Sequence, residues 1–170
     1  MSQRVTVSTR VAADPAEAFA LFTGEIGAWW AAGAVGAARW RGTLRFEPGA
    51  GGRLLKSAGG ETFEIARVRS WEPPARFVFE CREAGDADGP CTEVEVRFAP
   101  AAGGTRVTLE HRGFEQLPEG HPARGGLGHE ALLRLWARCW TERLEEAKDA
   151  AERGSPERSV SPAPARRPRP

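Results

Sequence analysis

The sequence predicts an α+β domain in which a curved antiparallel sheet of about seven strands wraps one long C-terminal helix. Three observations carry this. Between residues 42 and 112, apolar and polar side chains alternate with a period of two, interrupted at short intervals by glycine and proline. Residues 126–152 instead repeat their apolar side chains at helical spacing. Ahead of both, one alternating stretch is followed by two short helical ones.

Residues 4–11 (RVTVSTRV) place Val5, Val7, Thr9 and Val11 on one face and Thr6, Ser8 and Arg10 on the other, as on a half-buried strand. Asp14 then offers a side-chain acceptor for the first orphan amides of a helix, and Pro15 has the backbone angle of a first helical turn. That helix runs to about Thr23, burying Ala18, Phe19 and Phe22, and Gly24 ends it. A second short helix, from Glu25 to about Ala31, carries Ile26, Trp29 and Trp30. Strands are expected at 42–47, 52–57, 61–71, 76–83, 92–99 and 105–112. The breaks between them are too short for parallel crossovers, so neighbours in sequence pair antiparallel. In the last three strands, Phe77, Phe79, Cys81, Val94, Val96, Phe98, Val107, Leu109 and His111 share one face. The other face is charged, which predicts one buried and one wet side. The helix over 126–152 would be about 39 Å long. His129, Leu132, Leu133, Trp136, Cys139, Trp140, Leu144 and Ala147 lie on one side of it, with Arg134, Arg138, Thr141, Glu142 and Glu145 opposite. A sheet gripping one helix leaves a concave space between the two, a usual place for a ligand cavity.

Composition narrows the function classes. The chain has 170 residues, 41 % of them hydrophobic, and a formal net charge of +1, which argues against nucleic-acid binding through overall charge. Residues 153–170 hold five arginines, five prolines and one acid, and are expected to form a disordered tail beyond a domain spanning 1–152. Weak contact through that basic tail is the one route to nucleic acid. No apolar run approaches the ~20 residues needed to span a bilayer. The N-terminus leads into alternating residues and not into a signal peptide's apolar stretch. Cys81, Cys91 and Cys139 cannot all pair within the chain and form no CxxC, which fits a reducing, cytoplasmic setting. The glycine clusters at 49–52 and 59–60 lack the phosphate-loop pattern, and Glu83, Asp86 and Asp88 lack calcium-loop spacing. No cofactor and no metal are expected.

The element order resembles the helix-grip fold of the START and birch-pollen-allergen superfamily, SRPBCC. Within it, the local residues resemble homologues of the activator of heat-shock protein 90 ATPase. The stretches that carry this are Ala13-Asp14-Pro15-Ala16-Glu17-Ala18-Phe19, Ile26-Gly27-Ala28-Trp29-Trp30 and Glu47-Pro48-Gly49-Ala50-Gly51-Gly52-Arg53. Val68 to Phe77 around Pro73-Pro74, and Leu109 to Glu115, belong to the same pattern, which covers roughly residues 4–150. Two positions depart from it. The final helix opens Gly128-His129 where a glycine-aromatic pair is expected, and Ile65-Ala66-Arg67-Val68 stands where the family has Trp-Gly-x-Val. Both would line the cavity, so a relative's ligand does not transfer. The resemblance implies a fold whose members include hydrophobic-ligand carriers, polyketide cyclases and aromatases, and co-chaperone domains.

Candidate site residues follow from the expected faces. His111 ends a strand on its inward side, and His129 lies near the start of the helix on its apolar side, so both imidazoles could reach one end of the cavity. They could bind a metal, move protons, or sit as satisfied groups at the rim; no HxxxH or HxxE pattern supplies a third ligand. Arg143 falls near the centre of the helix's apolar face, where a guanidinium needs a partner. Glu64 on an inward strand position, or a ligand carboxylate, would provide one; otherwise the arginine stem snorkels to the open end. Trp136 and Trp140 on the helix, Trp29 and Trp30 on the end-closing helix, and Phe79 and Phe98 on the sheet offer ring surfaces for a planar ligand or for core packing. The sequence therefore points first to a module that binds an apolar or aromatic small molecule. A cyclase or aromatase-type enzyme and a co-chaperone-like interaction protein are the alternatives, and a homodimer is compatible with all three.

Overall fold

The computed structural model describes residues 3–30, 42–81 and 89–154. Trp40, the acidic residues Glu83, Asp86 and Asp88, and the tail from 155 onward lie outside them. The order is β1 (Arg4–Val11), α1 (Pro15–Gly24), α2 (Ile26–Trp30), β2 (Thr43–Phe46), β3 (Arg53–Ala58), β4 (Glu61–Glu72), β5 (Arg76–Cys81), β6 (Thr92–Ala101), β7 (Gly104–Arg112) and α3 (His129–Gly154). Two 3₁₀ turns, Phe114–Gln116 and Pro122–Arg124, interrupt the long β7–α3 loop. This is the expected helix-grip arrangement.

The seven strands form one antiparallel sheet in the order β1-β7-β6-β5-β4-β3-β2. From β2 to β7 the sheet is a meander, and β1 closes against β7 from Arg4↔Arg112 to Val11↔Thr105. Asp14 caps α1 as its residue type requires: its Oδ1 accepts from the Glu17 amide at 2.9 Å, and the Glu17 side chain accepts from the Asp14 amide at 3.2 Å. Before β3, Gly52 is indispensable for a spatial reason. A Cβ there would stand 2.1 Å from the Glu47 carbonyl oxygen, and the Gly52 carbonyl accepts from the Val68 amide at 2.7 Å.

The core lies between the inner sheet face, α1, α2 and α3. It is dominated by rings. Phe19 meets Trp71, Phe77 and Phe98 edge-on with centroids 5.3–5.8 Å apart, and Phe22 meets Trp29 at 4.9 Å and Phe98 at 5.4 Å. The Trp29 indole N–H donates to the Phe22 carbonyl at 3.2 Å, so burial of that polar atom is compensated. On α3, Leu132, Trp136, Trp140, Leu144, Ala147 and Ala151 face inward at three- and four-residue intervals.

Two expectations need correction. Glu64 is not an inward partner for Arg143. The β3–β4 register steps from Leu54↔Ala66 to Leu55↔Glu64, leaving Ile65 as an extra residue. That bulge turns Glu64 to the face opposite Ala66, where it pairs with Arg67 at 3.0 Å. Nor is the outer face simply wet. Glu95 and Glu110 stand opposite each other across β6 and β7 and are only 6 % and 7 % exposed. Arg112 spans both, 3.6 Å from Glu95 and 3.2 Å from Glu110, while Arg76 reaches Glu95 and Arg4 and Arg97 reach Glu110. The long arginine stems roof the carboxylates.

Candidate functional site

The first half of α3 presents Trp136, Cys139, Trp140 and Arg143 at successive helical intervals, all towards the sheet or towards the loop that precedes the helix. Beneath them β7 delivers His111, and α2 delivers Trp30 from the side. Trp136 and Trp140 stack with centroids 5.8 Å apart. The His111 ring lies 5.0 Å from Trp136, 5.7 Å from Trp140 and 4.3 Å from Phe114.

His111 is 1 % exposed, and its protonation follows from its surroundings. Trp140 Nε1 can only donate, and it donates to His111 Nδ1 at 3.0 Å. Nδ1 is therefore the acceptor, and the neutral ring carries its proton on Nε2. Burial, aided by the nearby Arg143 charge, pushes the imidazole pKa down to about 3. Nε2 is buried and has no hydrogen-bond partner. At neutral pH His111 is thus an unpaired hydrogen-bond donor, unsuited to act as a base.

Arg143 is 8 % exposed. Its guanidinium sits 4.8 Å from the ring centroids of both Trp30 and Trp140 and 5.9 Å from Trp136. The aromatic faces attract the cation. Among the described residues no carboxylate hydrogen-bonds to it, neighbouring Glu142 acts on its charge only through space, and Nε and Nη1 have no hydrogen-bond partner. Burial pulls its pKa down from the usual arginine value. The half-buried Cys81 thiol is pushed up to about 12 by desolvation and stays neutral.

Two hollows flank Trp136. One, of about 360 Å³, lies between α3 and the β7–α3 loop, walled by Leu127, Leu135, Trp136, Cys139 and loop residues 122–125, with Arg143 at its edge. The other, of about 230 Å³, lies over the sheet and is walled by Cys81, Pro90, Thr92, His111, Leu117, His121 and Trp136. Ala123 and Trp136 belong to both walls.

The candidate residues therefore separate. His111, Trp136 and Arg143 line the hollows, while Trp30 and Trp140 stand behind them holding the guanidinium. Trp29, Phe79 and Phe98 are fully or nearly fully buried in the ring-packed core and line neither hollow. His129 does not join His111. As the first residue of α3 its side chain leans back over the loop, into a separate polar depression with Gln3, Glu115 and Glu119. The histidine that shares a hollow with His111 is His121, whose Nδ1 accepts from the Ala123 amide at 3.2 Å. Arg124, another residue the candidate set lacked, is 9 % exposed, anchors the loop through Nε to the Leu117 carbonyl at 2.9 Å, and edges the larger hollow. The signal for both was the length of the loop: an irregular stretch of this size in a compact domain is commonly functional. Among the described residues no group of three His, Cys, Asp or Glu side chains is placed to hold a metal ion, and no helix is long and apolar enough to cross a membrane.

A comparison with curated proteins finds no significant match. Solved structures do match. Protein MLL2253 from Mesorhizobium loti has a TM-score of 0.60 at 19 % identity, over 90 % of this chain and 99 % of that one. TTHA0849 from Thermus thermophilus gives the same TM-score, identity and coverage. At these identities the likeness is one of fold. The anthrahydroquino-γ-pyrone synthase Txn09 is 28 % identical, with a TM-score of 0.58 over 87 % of this chain and 96 % of that one. The family model for the Activator of Hsp90 ATPase homolog 1-like protein matches residues 12–147, from the end of β1 deep into α3, and the chain belongs to that family.

Proposed function

We propose that this protein binds an apolar or aromatic small molecule in the space between α3, the β7–α3 loop and the sheet, in a cytoplasmic setting. The observation that carries this is the pair of hollows on either side of Trp136, about 360 and 230 Å³, in a domain whose remaining core is filled by rings. The larger is within the range usual for small-molecule sites, about 300–1,000 Å³. A bicyclic ligand burying about 200 Å² of apolar surface would gain about 5 kcal/mol at ~25 cal/mol per Å², from which the costs of association and ordering are subtracted. None of the three cysteines is in a disulfide, in keeping with a reducing compartment. The test is titration with neutral 2-naphthol, followed by tryptophan fluorescence and calorimetry. Saturable one-to-one binding that Ala123→Trp weakens, by placing an indole at the wall the two hollows share, is the expected outcome. Binding that is absent, or indifferent to that substitution, would refute the reading.

A second reading, an enzyme of the cyclase type, is favoured by the 28 % identity to a γ-pyrone synthase. In that reading His111 would polarise a ligand carbonyl through Nε2–H and would not remove a proton, because burial keeps the ring neutral. Turnover of a linear polyketide mimic, lost in His111→Phe, would support it.

A further inference from the structure

We infer that the ligand of the larger hollow is a planar aromatic acid whose anionic group sits on Arg143. This rests on the binding reading above and names its chemical class. A guanidinium more than nine-tenths buried ordinarily has a carboxylate beside it, because an uncompensated charge away from solvent is costly. No described carboxylate hydrogen-bonds or ion-pairs with Arg143, the neighbouring Glu142 acting on its charge only through space, and two of its nitrogens, Nε and Nη1, lack any acceptor. Its stem is fixed in α3, and Trp30 and Trp140, each 4.8 Å away, hold the charged plane in place. The rings attract the charge, but their faces cannot replace in-plane oxygen acceptors.

The charge balance around the hollow points the same way. Arg143 and Arg124 both edge it, and its described wall contains no acid. Across Trp136, His111 adds another buried donor, Nε2–H, without an acceptor. The protein thus offers donors and positive charge and withholds acceptors. A ligand that completes this set must accept hydrogen bonds and carry negative charge. The indole of Trp136 and the side chains of Leu127, Leu135 and Cys139 select a flat apolar body for the remainder.

The experiment compares naphthalene-2-carboxylate with two neutral analogues of the same ring system, methyl 2-naphthoate and 2-naphthamide. Affinities are measured by calorimetry on the full chain at neutral pH, for the native protein and for Arg143→Met and Arg143→Lys. The acid should bind at least about tenfold more tightly than either neutral analogue, a charge-assisted hydrogen bond's worth of preference. Arg143→Met should reduce that ratio to about one, and Arg143→Lys should keep part of it. In the native protein the Arg143 Nε–H resonance should shift on adding the acid and stay in place with the ester, a readout that needs no variant to fold. Equal affinity for acid and ester, or an acid preference that survives in Arg143→Met, overturns the inference while leaving the binding reading intact. If none of the three compounds binds, both fall.

Discussion

Replacing Arg143 with methionine should make the fold more stable. The guanidinium is 8 % exposed, with Nε and Nη1 unpartnered, and leaving a buried donor unpaired costs about 1–3 kcal/mol each. The two indoles at 4.8 Å offset some of this, at roughly 0.5–2 kcal/mol for each cation–π contact. The difference leaves a net burden on the order of 1–3 kcal/mol. Methionine keeps an unbranched stem of similar reach against Trp30, Trp136 and Trp140, and its thioether packs well on aromatic rings. Urea unfolding followed by circular dichroism should therefore show a higher midpoint with an unchanged slope, equivalent to about 1–3 kcal/mol. At this chain length each kcal/mol raises the melting temperature by roughly 2–4 °C. The stability would come at the expense of function, the usual relation where a binding site holds an unsatisfied group. A variant less stable than the native chain by about 1 kcal/mol or more would refute the reasoning: Arg143 would then be a structural element of the core, and its missing acceptors would say nothing about a ligand.

Three other perturbations test the remaining structure. His111 has a folded pKa of about 3 against an ordinary 6.5, so between those values the unfolded chain takes up a proton that the folded chain refuses. Stability should be flat above pH ~6.5 and fall below it by about 1.4 kcal/mol per pH unit. The window from about pH 6.5 to 4.5 isolates this effect, since the lowered carboxylates Glu47 and Glu72 add their own loss only below the ordinary 4.5, and His111→Gln should flatten it in urea titrations. Arg112→Ala leaves Glu95 and Glu110 opposed and buried with one bridging cation removed, and should cost about 2–4 kcal/mol; Glu110→Gln in that background should restore part of it, and purely additive losses would argue against the coupling. Gly52→Ala must displace the Glu47 carbonyl, which a Cβ would approach to 2.1 Å, and should cost about 1–3 kcal/mol by thermal melting, whereas a neutral effect would mean that the turn relaxes freely.

The parts of the site legible in the chain were those set by local periodicity. Trp136, Trp140 and Arg143 lie three or four residues apart, so any helix over this stretch puts them on one side. Period-two alternation likewise assigned His111 to the inner face with Leu109 and Val107. The same counting misplaced Glu64, because a single extra residue at Ile65 reverses the parity beyond it and nothing local announces a bulge. It grouped His129 with His111 by helix angle, although a first-turn side chain leans off the helix end towards the loop.

By itself the sequence determined the element types, the capping of α1 by Asp14, the meander from β2 to β7 and the apolar face of α3, because each depends on neighbours within a few residues. Tertiary structure alone decided that β1 closes on β7, that Glu95 and Glu110 are roofed by arginines, that the Trp140 indole sets the tautomer of His111, and that Arg143 is boxed by Trp30 and Trp140 with no described acid hydrogen-bonded to it. Those outcomes bring together side chains of different strands and helices, in the case of Arg143 and Trp30 more than 110 positions apart, and whether a buried charge or donor finds its partner is a property of the assembled neighbourhood, which no local pattern encodes.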